Sequence, residues 1–327
     1  MKKFLCSLFV YCSIVFLLLA AGFLLPDTPR SKTSLLYGKV NKDLLLENTP
    51  SPRIIFVGGS NLSFGLNSSM IKDSLGLNPI NTAIHASLGL IYMLDSSLPH
   101  IRRGDIVVVV PEYAQYFGDI AYGREELLRT SWGIDGLKGF ASLNAKQLYN
   151  VVPLIPKYIF SKFSLAEHQK FKPNPVYSSN SFNKYGDAYK HWTMQAKKVK
   201  PFKKLPKELN EDVIVALKKY RSSIQNKGAY LFLSYPSCQA SSFDISKTAI
   251  SSIEKVLKYN KFNLLGYPER YRMPDSLMFD TPYHLSKKGV DTRTKLLIED
   301  TKSFLLPLDG ERVPRVSFKP ALQRTIL

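Results

Sequence analysis

Thiols are nearly absent from this chain of 327 residues, which has three cysteines, and two of them, Cys6 and Cys12, fall in the apolar run at its start. Cys238 is the only one beyond that run, so an intrachain disulfide framework and a cysteine-based metal cluster are both excluded there. Histidine is scarce too, at five residues, and His100, His168 and His191 show no spacing of the kind zinc ligands use. No glycine-rich phosphate loop occurs, since Gly58-Gly59-Ser60 lacks the lysine such a loop carries. We expect no metal and no cofactor. Internal repeats are missing as well. Acidic residues are in short supply, 26 Asp and Glu against 45 Lys and Arg, giving a formal charge of +19. Such an excess attracts polyanions: nucleic acid, an anionic lipid surface, or an acidic cell-envelope polymer.

What the chain does have is one long hydrophobic run. Phe4 to Leu25 contains no charge and no proline, and Lys2 and Lys3 precede it. A bilayer core takes about 20 apolar residues, so the run is long enough to span, and the two lysines place the N-terminus in the cytoplasm. The rest of the chain is then periplasmic or extracellular, which sets nucleic acid aside as a partner. A cleaved signal peptide is the alternative, with Ala20, Ala21 and Gly22 as small residues near its end. Signal peptides usually carry about 7 to 15 apolar residues, and the greater length here favours the uncleaved anchor.

Residues 26–52 are polar and mixed, apart from Leu44 to Leu46, and read as a linker holding at most one helix. From Arg53 the pattern changes. Ile54 to Val57 is a strand-length apolar run closed by Gly58 and Gly59, followed by a helix over 67–75 with Asn67 or Ser68 as N-cap. A second strand over 79–84, an amphipathic helix over 87–101 and the β-branched run Asp105 to Val110 come next. Strand and helix alternating in this way predict a doubly wound α/β domain spanning 53–306. The alternation stops between 117 and 205. That stretch is rich in aromatics, and its second half is basic, with ten Lys between 161 and 204 against Glu167 and Asp187. It reads as an insertion whose charge is either a solvated surface or a cap for an acidic polymer or anionic headgroups. Helices over 211–226 and 245–259, strands over 229–234 and 262–265, and a last helix over 286–305 resume the pattern. Residues 307–327 read as a flexible tail.

Two stretches carry chemistry, GGSNLSFG at 58–65 and FDTPYHLSKKG at 279–289. A serine hydroxyl needs a base to take its proton, and the base needs a third group to fix its tautomer. Ser60, His284 and Asp280 supply those three types. Singly, Ser60 reads as a turn former and His284 as a hydrogen-bonded loop residue. Together, at the ends of a first strand and a late loop, they read as a catalytic triad.

That order resembles the SGNH/GDSL hydrolase superfamily, in particular its membrane-anchored, envelope-associated branch related to polysaccharide O-acyltransferases and esterases. Tyr283-His284-Leu285 with Gly289, NTAIHASLGLIYML at 81–94 and GDIVVVVPEY at 104–113 are similar to stretches of that branch. The likeness spans 53–113 and 229–305. Three departures accompany it. Gly59 replaces the usual Asp before the serine. Thr281 stands where the second Asp is expected, so three residues rather than two separate Asp280 from His284. Pro111-Glu112-Tyr113 replaces a Gly-x-Asn-Asp block.

The resemblance implies a mostly parallel five-stranded sheet in a flavodoxin-like three-layer arrangement, with the large, mainly helical insertion set into it. It also implies an oxyanion site, for which the backbone N–H of Ser60 and one near Ala83 are the candidates and Asn61 a spare donor. His85 is placed to line the same site, and Glu112 either to contact substrate or to cap the insertion's first helix. The activity it implies is that of an anchored serine esterase or O-acyltransferase acting on an envelope polysaccharide or other acylated glycan. A membrane-bound acyl-donor protein is a further partner under that reading. The rival is an inactive SGNH-like fold that binds polymer or scaffolds another enzyme.

Overall fold

The computed structural model describes residues 1–169 and 172–305. The tail expected over 307–327 lies outside the described residues. Five strands form one parallel sheet: β1 (Arg53–Gly58), β2 (Asn78–Asn81), β3 (Ile106–Val110), β4 (Tyr230–Ser234) and, after the short β5 (Cys238–Gln239), β6 (Leu264–Leu265). Their order is β2-β1-β3-β4-β6, and β5 pairs separately with β7 (Arg272–Met273). Every residue of β1 and β3 is buried, as unbroken apolar strands covered on both faces must be. The run Ile106 to Val110 occupies the central strand, as its β-branched composition leads one to expect.

Helices cover both faces of the sheet. In Glu211–Asn226 the buried residues Val213, Ile214, Leu217, Tyr220 and Ile224 recur at three- and four-residue steps, and the Asn210 side chain caps the start by accepting from the Asp212 N–H. Ser68–Leu75 stops at Gly76, whose φ of +67° suits glycine. Asn67 precedes that helix without capping it, and its amide bonds Asp291 in the final helix Lys287–Leu305 instead. At the N-terminus, Lys2–Leu24 is one helix long and apolar enough to cross a membrane, and Gly22 is its only buried residue.

Two expectations are corrected. Residues 26–52 are no loose linker: Thr28, Leu35, Leu36 and Leu46 are buried, and Lys42, in the helix Gly38–Asn48, is 1% exposed. Three of the segment's polar residues, Thr28, Lys39 and Lys42, point inward and are satisfied there, which its polar composition does not reveal. Lys42 Nζ reaches the carbonyls of Asn81 (3.0 Å), Ala83 (2.5 Å) and Gly186 (2.6 Å) and lies over the Phe182 ring. The second correction concerns the basic insertion. It contains several short helices, Lys162 is buried, and the two acids of its basic stretch, Glu167 and Asp187, are structural. Glu167 accepts from Thr28 Oγ1, and Asp187, wholly buried, accepts from Ser68 and Asn81.

Candidate active site

β1 and β3 are neighbours, yet the chain passes from β1 to β2 on one side and returns to β3 on the other, so the winding reverses between them. Ligands of such sheets bind at this reversal, beyond the carboxyl ends of the strands. Ser60 stands two residues past β1 and Glu112 two past β3. They meet: Ser60 Oγ donates to Glu112 Oε1 at 3.1 Å, and the Asn61 N–H donates to the same oxygen at 3.1 Å.

This contact explains the two glycines before the serine. A Cβ on Gly58 would lie 2.6 Å from the Val110 carbonyl oxygen, and one on Gly59 would lie 2.9 Å from Glu112 Oε1 and 3.0 Å from the Ala86 Cα. An aspartate at position 59 would collide with Glu112 and repel it. Gly59 and Glu112 are therefore one structural feature.

On the other side of the serine turn is His284. The loop carrying it is closed by Phe279 N–H to the His284 carbonyl (2.8 Å), and the Thr281 hydroxyl accepts from the backbone N–H groups of Tyr283 (3.3 Å) and His284 (3.1 Å). Thr281 thus shapes the turn that lets Asp280, four residues back, reach the imidazole. His284 Nδ1 lies 2.9 Å from Asp280 Oδ1. Tyr177, from the insertion, donates its hydroxyl to Asp280 Oδ2 and lies 3.2 Å from His284 Nδ1. Burial pushes the Asp280 carboxyl up, but the hydrogen bonds from His284 and Tyr177, with the charges of His284 and Lys197, outweigh it and hold the group below its ordinary value. Burial, followed by the hydrogen bond and charge of Asp280, keeps Tyr177 well above the usual phenol range, so it remains a neutral donor.

The His284 ring stacks on Phe64 (centroids 4.2 Å apart, planes at 19°). Phe64 N–H bonds the Ser60 carbonyl (2.9 Å), and its own carbonyl accepts from Leu285 N–H (3.2 Å), which ties the serine turn to the histidine loop. His191 completes the wall: it is buried, its Nε2 lies 3.0 Å from the Leu285 carbonyl oxygen, and burial pushes its pKa down to about 4. Ser60 and His284 keep 8% and 5% of their surface. The Ser60 hydroxyl is bonded to Glu112 and not to His284.

The expected accessory donors lie elsewhere. Asn61 is fully buried and its amide donates to the Val110 carbonyl at 3.2 Å, so it anchors the turn to β3. Ala83 N–H is satisfied by Asn81 Oδ1 (3.1 Å), and the Ala83 carbonyl by Lys42 and Ser63. His85 Nδ1 accepts from Ser87 N–H (3.2 Å) and caps a short turn. Glu112 does cap the following turn through a reciprocal box with Gln115, besides holding Ser60. Tyr177 and Phe64 were missed. Tyr177 is 103 residues from Asp280 in sequence, inside a stretch without periodicity, and nothing local marks it. Among the described residues no group of three His, Cys, Asp or Glu is placed to hold a metal ion.

Comparison with known protein families and with curated proteins finds no match to this chain.

Proposed function

We propose that the chain is a membrane-anchored, SGNH-like serine esterase or O-acyltransferase acting outside the cytoplasm on an acylated envelope glycan. The observation that carries this reading is the Asp280–His284 pair, seated against the Phe64 ring one helical turn after Ser60. Asp280 and Tyr177 both engage Nδ1, which leaves Nε2 to face a substrate.

In the reaction, Ser60 Oγ turns away from Glu112 by a change of χ1 and attacks the acyl carbonyl while His284 Nε2 takes its proton. The bond from the carbonyl carbon to the leaving sugar oxygen breaks, and that oxygen receives the proton from His284. Water or another sugar hydroxyl then attacks the acyl-serine and gives its proton to His284, the bond from the carbonyl carbon to Ser60 Oγ breaks, and His284 returns that proton to Ser60 Oγ. The Ser60 N–H is the donor available to the developing oxyanion. A basic strap supports an anionic polymer as substrate. Lys197, Lys198, Lys200, Lys203 and Lys204 are exposed, and the strap is tied to the histidine loop by Lys197 N–H to the Phe279 carbonyl (2.7 Å).

A non-catalytic, polymer-binding role is the second reading, favoured by the bond from Ser60 to Glu112 and by the engaged donors of Asn61 and Ala83. A fluorophosphonate probe on the full chain separates the two. Labelling of the wild type and none of Ser60→Ala supports the enzyme. A folded wild type that takes no label supports the binder.

A further inference from the structure

We infer that the end of the apolar helix and the insertion form one membrane-seated unit, in which residues 155–165 dip an aromatic edge into the outer lipid boundary beside the anchor. The inference rests on reading Phe4 to Leu25 as the anchor and is independent of the chemistry at Ser60.

The helix Ile155–Lys162 packs on the last turns of Lys2–Leu24. Ile159 and Phe163 fill the space that a side chain at Gly22 would need, their nearest atoms falling 2.4 and 3.2 Å from a Cβ built there. Phe23 stacks on Trp132 (3.9 Å between centroids) and meets Phe140 edge-on at 5.8 Å. The Phe23 carbonyl accepts from Trp132 Nε1 at 2.9 Å, and Lys162 Nζ donates to the Leu25 carbonyl at 2.5 Å. Lys162 and Trp132 therefore satisfy carbonyls that the helix end would otherwise leave to lipid or water. Beyond the helix, Asp27 accepts from Tyr158 (2.7 Å) and Tyr37 (2.6 Å), which fixes the exit of the chain.

These contacts set the height of the insertion. A helix of 23 residues is about 35 Å long, against about 30 Å of hydrocarbon, so Gly22 and Phe23 stand at the outer edge of the span. At that same level Phe160, Phe163 and Leu165 are 67%, 59% and 77% exposed. Large apolar side chains grouped beside a spanning helix and flanked by lysine are the composition of an interfacial segment. Lipid is the occupant to which the geometry points, because the patch stands on and just beyond the helix that packs against the apolar helix, whose own Phe4, Phe9, Phe16, Leu17 and Leu18 are exposed.

The test uses the full chain with Cys6→Ala and Cys12→Ala, reconstituted in phosphatidylethanolamine–phosphatidylglycerol vesicles, with a nitroxide at one engineered cysteine at a time; Cys238 is buried. Labels at Phe160→Cys and Leu165→Cys should collide with oxygen several-fold more than with a water-soluble nickel chelate. They should thereby match a label at Ala21→Cys in the anchor, whereas Tyr259→Cys, 87% exposed and remote, should favour nickel. Nickel-favoured labels at 160 and 165 with an oxygen-favoured label at 21 would overturn the inference while leaving the anchor standing. A nickel-favoured label at 21 as well overturns both. Labels at 160 and 165 that reach neither reagent overturn it in favour of a protein partner or a second copy.

Discussion

At the scale of single residues, the serine turn is specified by what cannot fit beside it. Gly59 is there because Glu112 Oε1 and Ala86 occupy the space of a side chain, and Glu112 is there to accept from both Ser60 and Asn61. Gly59→Asp, which puts a charged side chain against Glu112, should therefore lower fluorophosphonate labelling at least tenfold. It should also lower stability by about 1–3 kcal/mol, the usual range for an overpacked buried site. Combining it with Glu112→Ala should recover a large part of both losses in labelling rate and thermal denaturation. Additive losses in the double variant would show that the two positions are not coupled. The Asp280–His284 pair was legible because an acid and a histidine four residues apart on one loop can meet, whereas the bond from Ser60 to Glu112 was not, since it joins the ends of two strands 52 residues apart. That the Asn61 amide donates to Val110 and the Ala83 N–H to Asn81 was not legible, because such three-dimensional pairing is not encoded in residue type.

Among the elements, periodicity marked the sheet and the long helices well, since β1, β3 and the helix Glu211–Asn226 are patterned by burial alone. The helix Gly38–Asn48 was far less legible because two of its inward residues, Lys39 and Lys42, are lysines. Lys42 joins that helix to the end of β2 and to Gly186 of the insertion, close to Asp187, which in turn holds Ser68 and Asn81. Lys42→Met should cost roughly 1–3 kcal/mol for each carbonyl left without a donor, measured by thermal denaturation in detergent.

The same residue carries a pH signature. Burial pushes the Lys42 ammonium down to about 7 from 10.5, against the charge of Asp187, which favours it. Between those values the unfolded chain binds a proton that the folded chain does not, so this group's contribution to stability rises with pH across the window. The gap in melting temperature between wild type and Lys42→Met should accordingly widen from pH 7 to pH 9. A gap that stays constant from pH 7 to pH 9 would mean the ammonium is charged in both folded and unfolded chains, sustained by its three carbonyls and the Phe182 ring.

For the molecule as a whole, a charge of +19 is distributed unevenly with respect to the site, and the distribution decides what the charge can do. Lys162 is spent on the end of the apolar helix and Lys42 on the core, whereas the five exposed lysines between 197 and 204 run beside the loop that carries Asp280 and His284. An acidic polymer lying along that strap would pass the serine turn, while one bound elsewhere on the surface would not. Replacing Lys197, Lys198, Lys200, Lys203 and Lys204 together by alanine should therefore weaken co-sedimentation with an anionic glycan by tenfold or more at 50 mM salt. Replacing an equal number of exposed lysines outside the strap, Lys218, Lys255, Lys258, Lys261 and Lys227, should change it much less. Because exposed charges are screened over about 10 Å at 0.1 M salt, the difference between the two variants should shrink as salt rises. Equal losses in both would mean that the charge acts as a diffuse attraction and that the strap has no part in presenting substrate to Ser60.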